Sequence, residues 1–116
     1  MGIVVVDYDM GNLRSVYNAL VSMGGDVRIS SSGRDVENAD KLVVPGVGAF
    51  HDTMEALEAK ALIGPIRDFI GSGRPYLGIC LGLQILFEDS EEGEAKGMAV
   101  FKGRVKRFSL EKKFKI

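Results

Sequence analysis

The sequence has one cysteine and one histidine among its 116 residues, and nearly equal numbers of acidic and basic residues. A single cysteine excludes an internal disulfide framework. A net charge of −1 gives no reason to expect nucleic acid or an anionic membrane as a partner. No signal peptide and no apolar run of membrane-spanning length are visible. These absences favour one globular domain in the cytoplasm, where a free thiol stays reduced.

The one cysteine stands at the centre of the stretch Gly78-Ile79-Cys80-Leu81-Gly82. Glycines two residues before and two residues after it give the Gly-x-nucleophile-x-Gly spacing of a nucleophile elbow. In such an elbow the backbone is strained and passes close to its neighbours, which leaves no room for side chains at the flanks. A helix that starts at Cys80 would also favour the thiolate. The alternative is a buried cysteine that acts as a small hydrophobic residue.

Apolar runs and amphipathic segments alternate along the chain. Strands are predicted at Ile3–Asp7, Asp26–Ser30, Lys41–Pro45 and Pro75–Ile79. Helices are predicted at 13–23, 50–60, 62–71 and 80–87, a polar loop at Ser31–Asp35, and a hairpin of Met98–Phe101 with Arg104–Phe108. Strands that alternate with helices predict an α/β fold with a mainly parallel sheet and helices on both faces.

In parallel sheets the reactive loops collect at the carboxyl ends of the strands. The turns Asp7–Gly11, Pro45–Gly48 and Gly78–Gly82 all follow predicted strands and should lie near one another. An acyl-transfer nucleophile needs N–H donors aimed at the developing oxyanion, and an N–H of Leu81 with one from the Pro45–Gly48 loop would form such a pair. The Pro45–Gly48 turn could also bind a phosphate, but the chain lacks the Gly-Lys-Ser/Thr ending of a P-loop. An ordinary βα turn is the remaining alternative.

Three stretches together resemble a known family. The Cys80 stretch, continued through Leu83-Gln84-Ile85-Leu86-Phe87, resembles the nucleophile motif of class I (triad type) glutamine amidotransferases. Asp7-Tyr8-Asp9-Met10-Gly11-Asn12-Leu13 and Val44-Pro45-Gly46-Val47-Gly48-Ala49-Phe50 are similar to the glutaminase subunits of imidazole glycerol phosphate synthase, and Lys96-Gly97-Met98 with Gly103 fits the same group. The resemblance implies a three-layer, doubly wound, flavodoxin-like α/β fold.

The resemblance also implies a role for each matching residue. Cys80 would attack the carboxamide of glutamine, ammonia would leave, and water would hydrolyse the thioester to glutamate. The implied site residues are Cys80 as nucleophile, Val47 and Leu81 as oxyanion N–H donors, Gly46, Gly48 and Gln84 as the lining of the glutamine pocket, and Met10 and Asn12 at a partner interface. The implied partner is a (β/α)8-barrel cyclase subunit, which receives the ammonia to make imidazole glycerol phosphate in histidine biosynthesis. No metal or organic cofactor is implied.

One part of the family pattern is missing. The family takes its base and orienting carboxylate from a His-Pro-Glu motif nearer the C-terminus of a chain about twice this length. The only histidine here, His51, follows the Pro45–Gly48 turn and fits an exposed residue early in a helix. Residues 1–116 are therefore interpreted as the N-terminal part of the domain. We expect little glutaminase activity from them alone, and self-association through uncovered apolar faces.

Three other interpretations remain open at this point. A different class I amidotransferase would share the Cys80 stretch but not the Asp7–Leu13 stretch, and a cysteine hydrolase of a related fold would not need Gln84. A non-catalytic fragment or docking module is favoured by the missing base.

Overall fold

The chain is built on a parallel β-sheet. The computed structural model describes residues 2–9, 13–91 and 96–106. The sheet strands are β1 (Ile3–Val6), β2 (Val27–Ser30), β3 (Lys41–Gly46) and β4 (Tyr76–Cys80). They pair in parallel in the order β2-β1-β3-β4. All of the strands predicted from the apolar runs are confirmed, with ends that differ by one residue.

Helices cover both faces of this sheet, as the alternating pattern predicts. They are α1 (Leu13–Ser22), α2 (Gly33–Asn38), α3 (Phe50–Ala59), α4 (Ile63–Gly71) and α5 (Leu81–Gln84). Alternate residues of β1 and β3 pack with α2, α3 and α4 in one buried core, which includes Val4, Val6, Leu42, Val44, Val36, Leu57, Ile66 and Phe69. Helix α1 packs against β1 and β2. The longest described helices have 10 residues, and no described helix is long and apolar enough to cross a bilayer.

Helix α2 occupies most of the segment that was predicted as the loop Ser31–Asp35, so that prediction is wrong. Ser32 caps the helix, since its hydroxyl accepts a hydrogen bond from the Asp35 N–H at 3.4 Å. The Ser30 hydroxyl donates to the Asp35 carboxylate at 2.6 Å. A serine followed three residues later by an acidic residue is a helix-start signal, and it outweighs the polar composition of this segment.

The region after Cys80 also differs from expectation. The helix predicted to reach Phe87 ends at Gln84, and the chain continues in tighter turns in which Leu86 N–H donates to the Leu83 carbonyl. A helix of 4 residues has a much smaller dipole than the predicted one, so that support for a thiolate is weaker than expected.

The predicted hairpin of Met98–Phe101 with Arg104–Phe108 is wrong over its described residues. The N–H groups of Met98, Ala99 and Phe101 instead donate to carbonyls of Ile85, Phe87 and Leu86, at 2.7, 3.1 and 3.0 Å. The accepting carbonyls follow the end of α5 and have no helical N–H partners. They therefore accept hydrogen bonds from the N–H groups that a hairpin would have used. The strand β6 (Arg104–Val105) pairs in parallel with β5 (Asp89–Ser90).

Strand β4 forms one edge of the described sheet, where no described strand lies beside it. Leu77 in this strand is 52% exposed. It borders a groove of about 180 Å³ together with Ile3, Leu20, Val43 and other residues. An unpaired edge beside an apolar surface is a site where protein chains associate.

We expect the 116-residue chain to self-associate through this surface, and Leu77→Lys to weaken that association. Loss of apolar contact at one leucine amounts to about 1–2 kcal/mol, or roughly a tenfold rise in Kd. Sedimentation equilibrium across a concentration series measures the effect. Val21→Lys, at a 43% exposed position of α1, is the matched control and should leave the Kd unchanged. Equal behaviour of the two variants would contradict the prediction.

Candidate active site

Cys80 lies at the corner where β4 ends and α5 begins. Its backbone has φ 54° and ψ −114°, a conformation that residues other than glycine seldom adopt. Cys80 is an exposed residue, so the alternative of a buried, purely hydrophobic cysteine does not hold. Strain of this kind costs of the order of 1–3 kcal/mol per residue, and it clusters at functional sites.

The two glycines around Cys80 are required by close backbone contacts. A Cβ added at Gly82 would overlap the Val44 carbonyl oxygen, and one added at Gly78 would overlap the Gly82 carbonyl oxygen. Strand β3, strand β4 and the start of α5 are therefore in direct main-chain contact. This contact explains the glycine spacing in physical terms and holds the turn at Cys80.

The Pro45–Gly48 turn lies beside the same corner. Gly46 is the last residue of β3 and pairs in register with Cys80. A Cβ added at Gly46 would overlap the Tyr8 hydroxyl and lie 2.9 Å from the Leu81 Cβ. Val47, which follows, is 56% exposed, and Gly48 has φ +98°. The structure thus places the Pro45–Gly48 turn, which is expected to supply one oxyanion N–H donor, against Leu81, which is expected to supply the second donor.

For the remaining predicted site residues, the structure either shows a position in the fold or does not describe the residue. Leu81 is buried at the first position of α5, and Gln84, its last residue, is half-buried. Met10 and Asn12, which were assigned to a partner interface, lie outside the described residues. A surface cavity of about 300 Å³ is bordered by α3 and Lys96, and Cys80 is not among its lining residues.

Two tyrosine hydroxyls reach the turns of this site, and the sequence reasoning did not single them out. Tyr8 donates to the Pro45 carbonyl oxygen at 2.5 Å, and Tyr76 donates to the Gly82 carbonyl oxygen at 2.6 Å. Burial raises the pKa of both phenols, and for Tyr76 the nearby Tyr8 raises it further. The only signal in the sequence is that a buried tyrosine needs a hydrogen-bond partner for its hydroxyl.

His51 is the second residue of α3 and is exposed, as expected for a histidine early in a helix. Its Nε2 lies 3.0 Å from Glu55 Oε2, one helical turn along. In residues 2–9, 13–91 and 96–106, no group of three or more His, Cys, Asp or Glu side chains is placed to hold a metal ion.

A comparison of the sequence with protein-family models matches residues 4–115 to the family described as glutamine amidotransferase class-I. The chain belongs to the class I glutamine amidotransferase family. Among curated proteins, the imidazole glycerol phosphate synthase subunit HisH of Nostoc punctiforme is 51% identical over 109 residues, and that of Gloeothece citriformis is 50% identical. Each alignment covers 94% of this chain and 52% of the relative. The chain thus spans about half the length of these class I relatives.

Solved structures show the same fold. A crystal structure of a glutamine amidotransferase matches with a TM-score of 0.71 over 90% of this chain and 56% of that chain, at 21% identity. A putative peptidase E from Listeria monocytogenes matches with a TM-score of 0.64 over 75% of this chain and 50% of that chain, at 17% identity. The α/β class I amidotransferase-like fold that the resemblance implied is therefore confirmed.

The strain at Cys80 predicts an unusual order of stability among its variants. Cys80→Gly should be more stable than Cys80→Ala by about 1–2 kcal/mol, because only alanine keeps a Cβ at positive φ. Chemical denaturation monitored by circular dichroism measures the difference. In the middle of α1, Ala19→Gly is the matched control and should lose about 1 kcal/mol. If glycine is less stable than alanine at position 80, the turn is not strained in the way described.

Proposed function

We propose that the Cys80 turn is the nucleophile elbow of a glutaminase and that the Pro45–Gly48 turn is its oxyanion loop. The observation that carries this proposal is the backbone of Cys80. Cys80 is an exposed residue at positive φ, between two glycines whose positions have no space for a side chain, and it pairs with Gly46. Membership of the class I glutamine amidotransferase family supplies the matching substrate class.

The reaction proposed for this geometry has two stages. The Cys80 thiolate attacks the side-chain carbonyl carbon of glutamine, and the carbonyl oxygen becomes an oxyanion that accepts hydrogen bonds from the N–H groups of Leu81 and Val47. The C–N bond then breaks, the leaving nitrogen takes a proton, and ammonia departs from a glutamyl thioester. Water attacks this thioester, releases glutamate and returns the thiol.

The position of Leu81 supports its part in this scheme. It is the first residue of α5, and the first N–H groups of a helix have no partner within the helix. We assign Gly46, Gly48 and Gln84 to the pocket for the glutamine substrate. Gly46 pairs in register with Cys80, Gly48 follows it by two residues, and Gln84 lies one turn along the helix that Cys80 precedes.

The proposed use of the ammonia comes from the relatives that are named subunits of imidazole glycerol phosphate synthase. We propose that the intact protein delivers ammonia to a (β/α)8-barrel cyclase subunit in histidine biosynthesis, and that Met10 and Asn12 belong to the interface with this subunit.

The reaction also needs a general base for Cys80. His51 is paired with Glu55 on the exposed side of α3, and we propose that it is not the base for Cys80.

The proposal predicts selective labelling of Cys80. The chloroketone analogue of L-glutamine should react with the 116-residue chain at least about tenfold faster than its D-enantiomer, because only the L-form fits a glutamine pocket. Mass spectrometry of digested protein locates the adduct and follows its rate. Cys80→Ser should remove the adduct. Equal rates for the two enantiomers would contradict a glutamine site.

Turnover should separate the roles of the chain and its partner. The 116-residue chain should release glutamate at a rate within about tenfold of Cys80→Ala, since loss of a positioned acid–base costs about 10²- to 10⁴-fold. A complete relative of about twice this length should turn over, and faster with the cyclase subunit and its ligand bound. A coupled glutamate assay measures both. Turnover by the 116-residue chain well above Cys80→Ala would reveal a base within it, and His51→Ala would then identify or exclude His51.

A further inference from the structure

Strand β3 loses one of its two neighbours just before the proposed oxyanion loop. Its pairing with β1 ends at Val43, whereas its pairing with β4 continues to Gly46. The Pro45 peptide therefore lies beyond the last ladder position shared with β1. Pro45 also has no N–H of its own to offer. A different group has to hold this part of the strand on the β1 side.

The Tyr8 hydroxyl is that group. Tyr8 follows β1 by two residues, is fully buried, and donates to the Pro45 carbonyl oxygen at 2.5 Å. The Pro45 carbonyl and the Gly46 N–H belong to one planar peptide unit. A hydrogen bond to the carbonyl therefore fixes the orientation of the peptide from which the Gly46-Val47-Gly48 turn departs.

The same hydroxyl fills the space that a side chain at position 46 would need. A Cβ at Gly46 would overlap the Tyr8 hydroxyl oxygen. It would also lie 2.9 Å from the Leu81 Cβ and 3.4 Å from the Gly82 nitrogen. The Tyr8 hydroxyl, Gly46 and the start of α5 are thus packed against one another. A displacement of the Pro45–Gly46 peptide would alter the distance between the loop and the Cys80 turn.

The surroundings keep the hydroxyl in its donor form. Burial raises the pKa of Tyr8, and the nearby, buried Thr53 of α3 offsets part of this shift. The phenol stays protonated through the neutral range. Thr53 donates to the Ala49 carbonyl, which follows the same loop, at 3.2 Å. Each end of the turn thus accepts a hydrogen bond from a buried residue, at Pro45 from Tyr8 and at Ala49 from Thr53.

We propose that Tyr8 is a positioning residue: its hydroxyl holds the Pro45–Gly46 peptide and so sets the loop that forms the glutamine pocket beside Cys80. This role rests on the proposed glutaminase function. Tyr8 is not itself a catalytic residue, because it acts through the main chain of the loop. Tyr76 makes the corresponding bond to the Gly82 carbonyl in α5.

A purely structural role is the alternative, and it has a different signature. Removal of a buried donor lowers stability in either case, since the Pro45 carbonyl is left without its partner. Only the positioning role predicts a selective loss at the glutamine pocket while the intrinsic reactivity of Cys80 is kept. The test therefore compares reagents that need the pocket with one that does not.

The experiment uses the 116-residue chain, under conditions where circular dichroism shows each variant to be folded. Three rates are measured for Cys80: alkylation by the L-glutamine chloroketone, by its D-enantiomer, and by iodoacetamide. Tyr8→Phe should lower the preference for the L-reagent by about tenfold, since small displacements of a pocket cost such factors. The iodoacetamide rate should change by less than about twofold. Tyr17→Phe, which removes the hydroxyl of a tyrosine in α1, is the matched control and should change none of these rates.

The outcomes are distinguishable. If the unmodified chain shows no preference between the enantiomers, the proposed function fails and the positioning role fails with it. If that preference exists and Tyr8→Phe retains it in full, or if all three rates fall together, only the positioning role is overturned. Should Tyr8→Phe not fold, 4-aminophenylalanine at position 8 decides instead. It keeps a neutral N–H donor at the same place, so it should keep the L-preference, and loss of that preference in the folded variant would overturn the proposal.

Discussion

The close approach of main chain from β3 to the start of α5 is the constraint on which the site depends. Gly82 lies against the Val44 carbonyl, and Gly46 lies against Leu81, at distances that leave no space for a Cβ. The chain has to turn sharply between β4 and α5 to make these contacts, and Cys80 adopts its positive φ at that turn. The strain is local, whereas the packing that maintains it comes from the buried sheet and from the helices α2, α3 and α4.

Much of this fold could be predicted from the sequence, because the central strands β1 and β3 are buried on both faces and consist of nearly uninterrupted apolar residues. The errors fall where a different contact decides the structure. Helix α2 depends on the cap that Ser32 provides, which a polar composition conceals. The 97–101 segment depends on the carbonyls of residues 85–87, which follow α5, and its apolar, strand-like composition gives no sign of these partners. Propensity and periodicity describe a segment by itself, whereas the structures of these two segments depend on contacts with neighbouring residues.

The candidate site, like the fold, could be predicted from the sequence only in part. The glycine spacing around Cys80 could be read directly, since each glycine records a close approach of backbone. The Tyr8 and Tyr76 hydroxyls could not be predicted, because their partners Pro45 and Gly82 are identified only once the strands are aligned. The thiolate support expected from a longer helix is reduced by the early end of α5. A strained turn, the glycine-containing loop packed against it and two tyrosine hydroxyls therefore form one unit, and we propose that this unit acts on glutamine.

The proposed nucleophile elbow is tested most directly by a crystal structure of the adduct between the 116-residue chain and the L-glutamine chloroketone. We expect a covalent bond from Cys80 Sγ, with the glutamine-like end of the reagent between Gly46 and Gln84. We also expect the reagent's ketone oxygen to accept a hydrogen bond from the Leu81 N–H at about 3 Å. An adduct on Cys80 that extends into solvent, with its oxygen bonded to no backbone N–H, would contradict the assignment of this turn as a nucleophile elbow.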